Sequence, residues 1–254
     1  MKALFKICTL LFLVMFLPLS GEAWTVGVSD NYVGANDHGY GDLIGSDNFQ
    51  IYRADVGLQG TQLNIDIYTQ FAGKADDGIY SSYTVNDNGI GYGDLFLSSA
   101  WNPYGDEPYY NDNATTGTDW EYVLSLDDRW SNSAQSPQLY HTSHGTTLYS
   151  DDFMTGSAYW RNGQEVGFTN NTSPLQTGSF RVTEGKGFIT FNVDLDGTTL
   201  ANNDGIAFHW GQTCGNDVIE SYATTPEPAT MLLLGTGLIF LAAFGRRKLV
   251  KNRA

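Results

Sequence analysis

"TQLNIDIYTQF", residues Thr61 to Phe71, alternates apolar and polar side chains and puts Leu63, Ile65, Ile67, Thr69 and Phe71 on one face. A period of two carried by β-branched and aromatic residues predicts a half-buried strand. The pattern recurs in "DWEYVLSLD" (Trp120, Tyr122, Leu124, Leu126), "KGFITFNVDLDG" (Ile189, Phe191, Val193, Leu195) and "GIAFHWG" (Ile206, Phe208, Trp210). Shorter candidates are "NFQIYRADVGL", "GDLFLSSAW", "QLYHTS", "SAYWRNG", "QEVGFT" and "SFRVT". Between them lie Asn, Asp, Gly and Ser clusters such as "ANDHGYGD", "KADDG" and "YNDNATTGTD", which supply positive φ angles and side-chain caps for tight turns. No amphipathic helix interrupts them. About ten strands in ~200 residues predict an all-β fold: an antiparallel two-sheet sandwich of jelly-roll, lectin-like type.

The two ends read differently from this body. Met1 to Ala23 has Lys2 and Lys6, an apolar run from Leu10 to Leu17, and small residues at Gly21 and Ala23. That is the layout of a secretory signal peptide, with cleavage expected before Trp24. At the other end, Pro226 and Pro228 stop any strand. Residues 229–245 then run without a charge and are followed by Arg246, Arg247 and Lys248. As a helix of ~1.5 Å rise per residue this segment would be about 25 Å long, enough to cross a thin bilayer. Cations that stay cytoplasmic would leave the body on the outer side of the inner membrane. The expected divisions are a signal peptide (1–23), a β-sandwich body (24–225) and a C-terminal segment (226–254).

"PEPATMLLLGTGLIFLAAFGRRK" resembles the PEP-CTERM sorting signal: a Pro-Glu-Pro motif at Pro226, Glu227 and Pro228, a short hydrophobic helix, and an arginine-rich end at Arg246 and Arg247. The resemblance implies handling by an exosortase, a membrane-embedded transpeptidase or protease that would cut near the Pro-Glu-Pro motif. It also implies a Gram-negative bacterium that makes exopolysaccharide and biofilm. In that setting the protein is anchored in the inner membrane before processing and is then found at the cell surface or in the extracellular matrix. The motif residues are recognised ones, not catalytic ones. "GDLFLSSAWNPYG" and "HWGQTCGNDVIE" are similar in character to exported bodies that carry such a tail; that likeness implies no activity.

Charge narrows the partners. The body holds 26 acidic residues against six Lys and Arg, a net charge of −20, whereas the whole chain is at −15. Such a surface repels nucleic-acid phosphates and anionic lipid. It suits divalent cations or cationic polymers, or simply keeps an exported protein soluble. The two cysteines are Cys8, in the signal segment, and Cys214. The body therefore has no intrachain disulfide, and Cys214 reads as a buried apolar residue or a site of intermolecular pairing.

Catalytic patterns are missing. No Glu-x-Asp-x-Glu string occurs, and the body glutamates Glu107, Glu121, Glu165, Glu184 and Glu220 are scattered. There is no Gly-x-Ser-x-Gly, and His38, His141, His144 and His209 pick out no triad. The chain is expected not to be an enzyme. Calcium is the cofactor its loops suit best, because Asp and Asn with Gly offer carboxylates and free carbonyls together. The candidate ligands are Asp87, Asn88 and Asp94 in one loop, Asp112, Asn113 and Asp119 in a second, and Asp194, Asp196 and Asp204 in a third. The same loops also read as ordinary turns. "WNPYGDEPYY" gathers Trp101, Tyr104, Tyr109 and Tyr110, rings that would either stack on sugars or fill a core. The expected role is structural or adhesive, in exopolysaccharide or biofilm. The alternative is a carbohydrate-binding, calcium-dependent lectin-like module, and a third reading is a polysaccharide-active enzyme.

Overall fold

The computed structural model describes residues 23–35, 41–113, 115–156 and 160–224, together with Gly237. Apart from Ala23 and Gly237, the expected signal peptide, the Pro-Glu-Pro motif, the expected membrane helix at 229–245 and Arg246 and Arg247 lie outside the described residues. No helix among the described residues is long and apolar enough to cross a membrane. Residues up to Thr224 form one compact unit, and residues from Thr225 onward are a second.

The first unit is all-β and has two main antiparallel sheets, a sandwich-like arrangement. Its strands in chain order are β1 (Trp24–Ser29), β2 (Ile51–Gln59), β3 (Gln62–Thr69), β4 (Leu95–Ser98), β5 (Tyr122–Ser125), β6 (Gln138–His141), β7 (Gly145–Tyr149), β8 (Glu165–Asn170), β9 (Gln176–Thr177), β10 (Ser179–Thr183), β11 (Phe188–Asp194), β12 (Gly205–Gly211) and β13 (Val218–Thr224). The five-stranded sheet has the order β1-β2-β3-β11-β10, the six-stranded sheet β13-β12-β4-β5-β6-β9, and β7 and β8 form a separate hairpin. Helix among the described residues of this unit amounts to one turn of α-helix at Ser150–Phe153 and short 3-10 segments.

The five-stranded sheet follows the alternation read from the sequence. Leu63, Ile65, Ile67, Thr69 and Phe71 are all buried, as are Ile189, Phe191, Val193 and Leu195. β3 and β11 are paired in register, Ile65 opposite Phe191 and Ile67 opposite Ile189. In β2 the register shifts between Ile51 and Arg53. The extra residue turns Tyr52 outward and lets Ile51 join Ala54, Val56 and Leu58 in the core despite the change of parity. The opposite face of this sheet meets solvent. There the Arg53 guanidinium lies 3.8 Å over the Tyr68 ring, and Thr190 donates a 2.6 Å hydrogen bond to Asp66.

The six-stranded sheet is buried on both faces. Ile206, Phe208 and Trp210 face the main core with Leu95, Leu97, Tyr122, Leu124 and Ile219. Phe96, Val123 and Tyr140 point the other way and pack on Phe168 of the β7–β8 hairpin. All seven residues of β12 are therefore buried. Each large apolar side chain so enclosed contributes roughly 1.5–3 kcal/mol relative to exposure. Trp120 departs from its expected alignment with Tyr122 and Leu124. β5 begins at Tyr122, and Trp120 packs with the outer cluster instead. The expected strand "SAYWRNG" also differs: Trp160–Gly163 is not strand, because the Arg161 side chain is drawn inward to bond main-chain carbonyls.

Candidate functional site

The loop after β4 folds back on β13. Trp101 enters from "WNPYG", and its indole N–H donates 2.8 Å to Oε1 of Glu220. Glu220 is buried in β13, and its Oε1 also accepts from Thr118 Oγ at 3.2 Å. Its Oε2 meets Nδ1 of His209 at 3.0 Å, and Nε2 of His209 reaches the Glu165 carbonyl at 2.9 Å. The register explains the pairing: His209 on β12 stands directly opposite Glu220 on β13. Phe96 and Trp120 pack against the imidazole, with ring centroids 6.1 Å and 5.7 Å away.

Above this buried chain lies a cleft of about 290 Å³, lined among others by Asn31, Tyr32, Trp101, Glu107, Tyr109 and Glu220. Its rings are ordered against one another. Tyr32 and Tyr109 are stacked with centroids 5.9 Å apart, and Trp101 meets Tyr109 edge-on at 5.4 Å. Tyr32 is anchored by its hydroxyl, which donates 3.0 Å to Oδ2 of Asp112. Tyr109 holds its place with a positive φ of 65°, an uncommon conformation for a residue with a side chain.

Electrostatics follow from burial. Desolvation pushes the Glu165 carboxyl up to about 7, against the nearby His209 and with the repulsion of Glu220. Desolvation and the charge of Glu220 push Asp112 up to about 6. For His209 burial alone would lower the value. The hydrogen bond that His209 donates to Glu220 and the charges of Glu220 and Glu165 outweigh it, and the net shift is upward. The site thus favours protons on groups close to its buried carboxylate.

Of the four aromatic residues singled out in the sequence, Trp101 and Tyr109 line the cleft. Tyr104 and Tyr110 do not, being 54% and 59% exposed. Sequence reading missed Tyr32 and Glu220, which reach the site from elsewhere in the chain. The calcium loops are not drawn together as sets. Asp94 is fully buried and forms an ion pair with Arg129 at 3.3 Å. It also accepts from Ser125 Oγ at 3.1 Å and Leu126 N at 2.9 Å. Burial raises its pKa and those partners oppose the rise. Asp87 and Asn88 are exposed in their turn. Asp112 turns to Tyr32, Asn113 accepts from Thr115 N at 2.8 Å, and Asp119 is exposed. Asp194 accepts from Asp196 N at 3.0 Å across a turn, and Asp196 and Asp204 are exposed. His141 and His144 have ring centroids 5.5 Å apart, with no third metal-ligating side chain beside them among the described residues.

The acidic side chains that do converge are Asp30, Asp42 and Asp217, with one ligand oxygen of each within 4.8 Å of the others. Beside them Arg161 is 0% exposed. Its guanidinium donates to the carbonyls of Gly215 at 3.0 Å, Gly34 at 3.2 Å, Gly41 at 3.1 Å and Asp42. No local motif announces this group, because Asp30 and Asp42 stand twelve positions apart in the connection from β1 to β2 and Asp217 comes from the turn before β13.

No curated protein and no solved structure matches the chain. Residues 224–248 match the family model described as the PEP-CTERM protein-sorting motif. The carboxyl-terminal resemblance is thereby shown: this chain carries a PEP-CTERM sorting motif, the mark of an exported protein addressed to an exosortase.

Proposed function

We propose that the exported body is a non-enzymatic adhesive protein that holds polysaccharide in the cleft between Trp101, Tyr109 and Glu220. The observation that carries this reading is the joining of ordered rings to a carboxylate in one concave site. Sugar rings stack their C–H faces on aromatic surfaces, and carboxylates accept from sugar hydroxyls. Such sites on β-sandwiches suit a lectin-like body of jelly-roll type. The matrix polysaccharide of the producing cell is the ligand expected of a protein sorted in this way, at the surface or in the surrounding matrix. Before processing, the segment at 229–245 would hold the body at the inner membrane.

The chemistry of Glu220 argues for binding over turnover. Both its oxygens are engaged, Oε1 by Trp101 and Thr118 and Oε2 by His209. A hydrolytic acid or base must exchange its proton with substrate or water, and a carboxylate held from three sides is an anchor instead. A glycan array probed with the exported protein tests the reading. Saturable binding weakened about tenfold in Trp101→Ala supports it. Absence of binding to any acidic or neutral polysaccharide would leave a purely structural body, and sugar release from a polysaccharide panel would make it an enzyme.

A further inference from the structure

We propose that Asp30, Asp42 and Asp217 form a calcium site that clamps the end of β1, the loop that follows it and the turn before β13. Three carboxylate oxygens lie within 4.8 Å of one another. An ion bound at ~2.4 Å from each oxygen, as calcium is, holds any two of them at most ~4.8 Å apart.

The second observation is the state of the oxygens. Asp217 is 0% exposed. Its Oδ2 accepts from Ile51 N at 2.6 Å and from Gln50 Nε2 at 3.4 Å. Its Oδ1 is buried without a well-formed hydrogen bond, although the neighbouring Val218 backbone N–H favours the Asp217 charge. Oδ1 of Asp42 and both oxygens of Asp30 are likewise buried without a well-formed hydrogen bond. The Tyr32 backbone N–H lies near enough to favour the Asp30 charge. Buried carboxylates normally find partners, and the nearest cation, Arg161, offsets their charge from a distance without bonding to them. Arg161 forms no ion pair with any of the three among the described residues; its donors go to main-chain carbonyls.

Charge gives the valence. Three ionised carboxylates and one guanidinium sum to −2, which one divalent cation balances. All-oxygen ligands select a hard ion. Without a cation, burial and mutual repulsion raise the pKa of both Asp30 and Asp217. The fold gives the ion a task. Asp30 follows β1 of the five-stranded sheet, and Asp217 precedes β13 of the six-stranded one. The clamp therefore ties the two sheets where no disulfide does. Asn31 and Tyr32, next to Asp30, and Glu220, on β13, line the cleft, yet the metal site stands whether or not the cleft binds sugar.

The test is thermal unfolding of the full chain in mild detergent, followed by tryptophan fluorescence, in excess EGTA and then in millimolar calcium chloride or magnesium chloride. Calcium at a hundredfold its dissociation constant is expected to raise Tm by about 5–10 °C. Asp42→Asn is expected to weaken calcium binding, measured by calorimetry, at least tenfold. In EGTA the same variant is expected to melt at or above the parent, because one repelling charge has gone. Equal Tm in EGTA and calcium would overturn the proposal. So would an equal response to magnesium, an Asp42→Asn variant that keeps the full calcium response, or one that melts lower than the parent in EGTA.

Discussion

Trp101 and Glu220 stand 119 residues apart in the chain, and the indole N–H of the first donates a 2.8 Å hydrogen bond to the carboxylate of the second. One side chain thus serves two ends. Its ring forms a wall of the cleft, and its nitrogen helps to satisfy a buried charge.

Trp101→Ala should therefore have two separable effects. Loss of the stacking surface weakens polysaccharide binding about tenfold. Loss of the donor leaves Glu220 short of one partner and costs about 1–3 kcal/mol of stability. Trp101→Phe keeps a ring but no donor, so it should recover most of the binding and little of the stability. Affinity measured beside urea unfolding of the same samples checks both.

Glu165 makes stability depend on pH. Its folded-state value is about 7, raised by burial from the ordinary 4.5. The folded state therefore binds this proton more tightly than the unfolded chain. The resulting stabilisation is complete below about pH 4.5 and is lost as pH rises through 7. The loss is on the order of 3 kcal/mol for this group. Urea midpoints at pH 5 and pH 8 should differ more in the parent than in Glu165→Gln, and equal differences would refute the assignment.

Asp94→Ala should destabilise the body by about 3–5 kcal/mol, because it strands the buried Arg129 charge that Asp94 now meets at 3.3 Å. The same variant should keep its thermal response to calcium. A lost response with an intact fold would move the metal to Asp94.

Cys214 is fully buried, and desolvation pushes its thiol up to about 12. In the native body it should stay unmodified by a thiol reagent for hours and react once denaturant is added. Rapid labelling of the folded protein would show that the turn before β13 opens.

Replacement of Pro226, Glu227 and Pro228 by alanine should leave full-length chain in the inner membrane fraction. The parent should be recovered outside the cytoplasm without its last ~25 residues. Mass spectrometry of both fractions reads the outcome directly.

The five-stranded sheet was legible because one of its faces is wet. Leu63, Ile65 and Ile67 had to alternate with polar neighbours, and the pattern of period two survived intact. The other sheet was less so. A hairpin covers its outer face, so His209 and Ala207 are as buried as Phe208 and Trp210, and alternation no longer separates inside from outside. Trp120, ahead of the start of β5, packs with that outer cluster and so leaves the alternation of Tyr122 and Leu124. For the site, Trp101 and Tyr109 were visible as a local run of aromatic residues, whereas Tyr32 and Glu220 arrive through strand order alone. The Asp30, Asp42 and Asp217 group was beyond local reading altogether. Loops rich in Asp and Gly attract attention, but convergence across 187 positions is a property of topology.

The last hydrogen-bonded strand closes at Thr224, opposite Gly205, and the matched sorting motif begins at that same position. Among the described residues every strand has found its neighbour by Thr224. A cut near Pro226 and Pro228 would remove no rung of the ladders that the described strands form. Processing after folding would then leave the described strand pairs of the body as they stand.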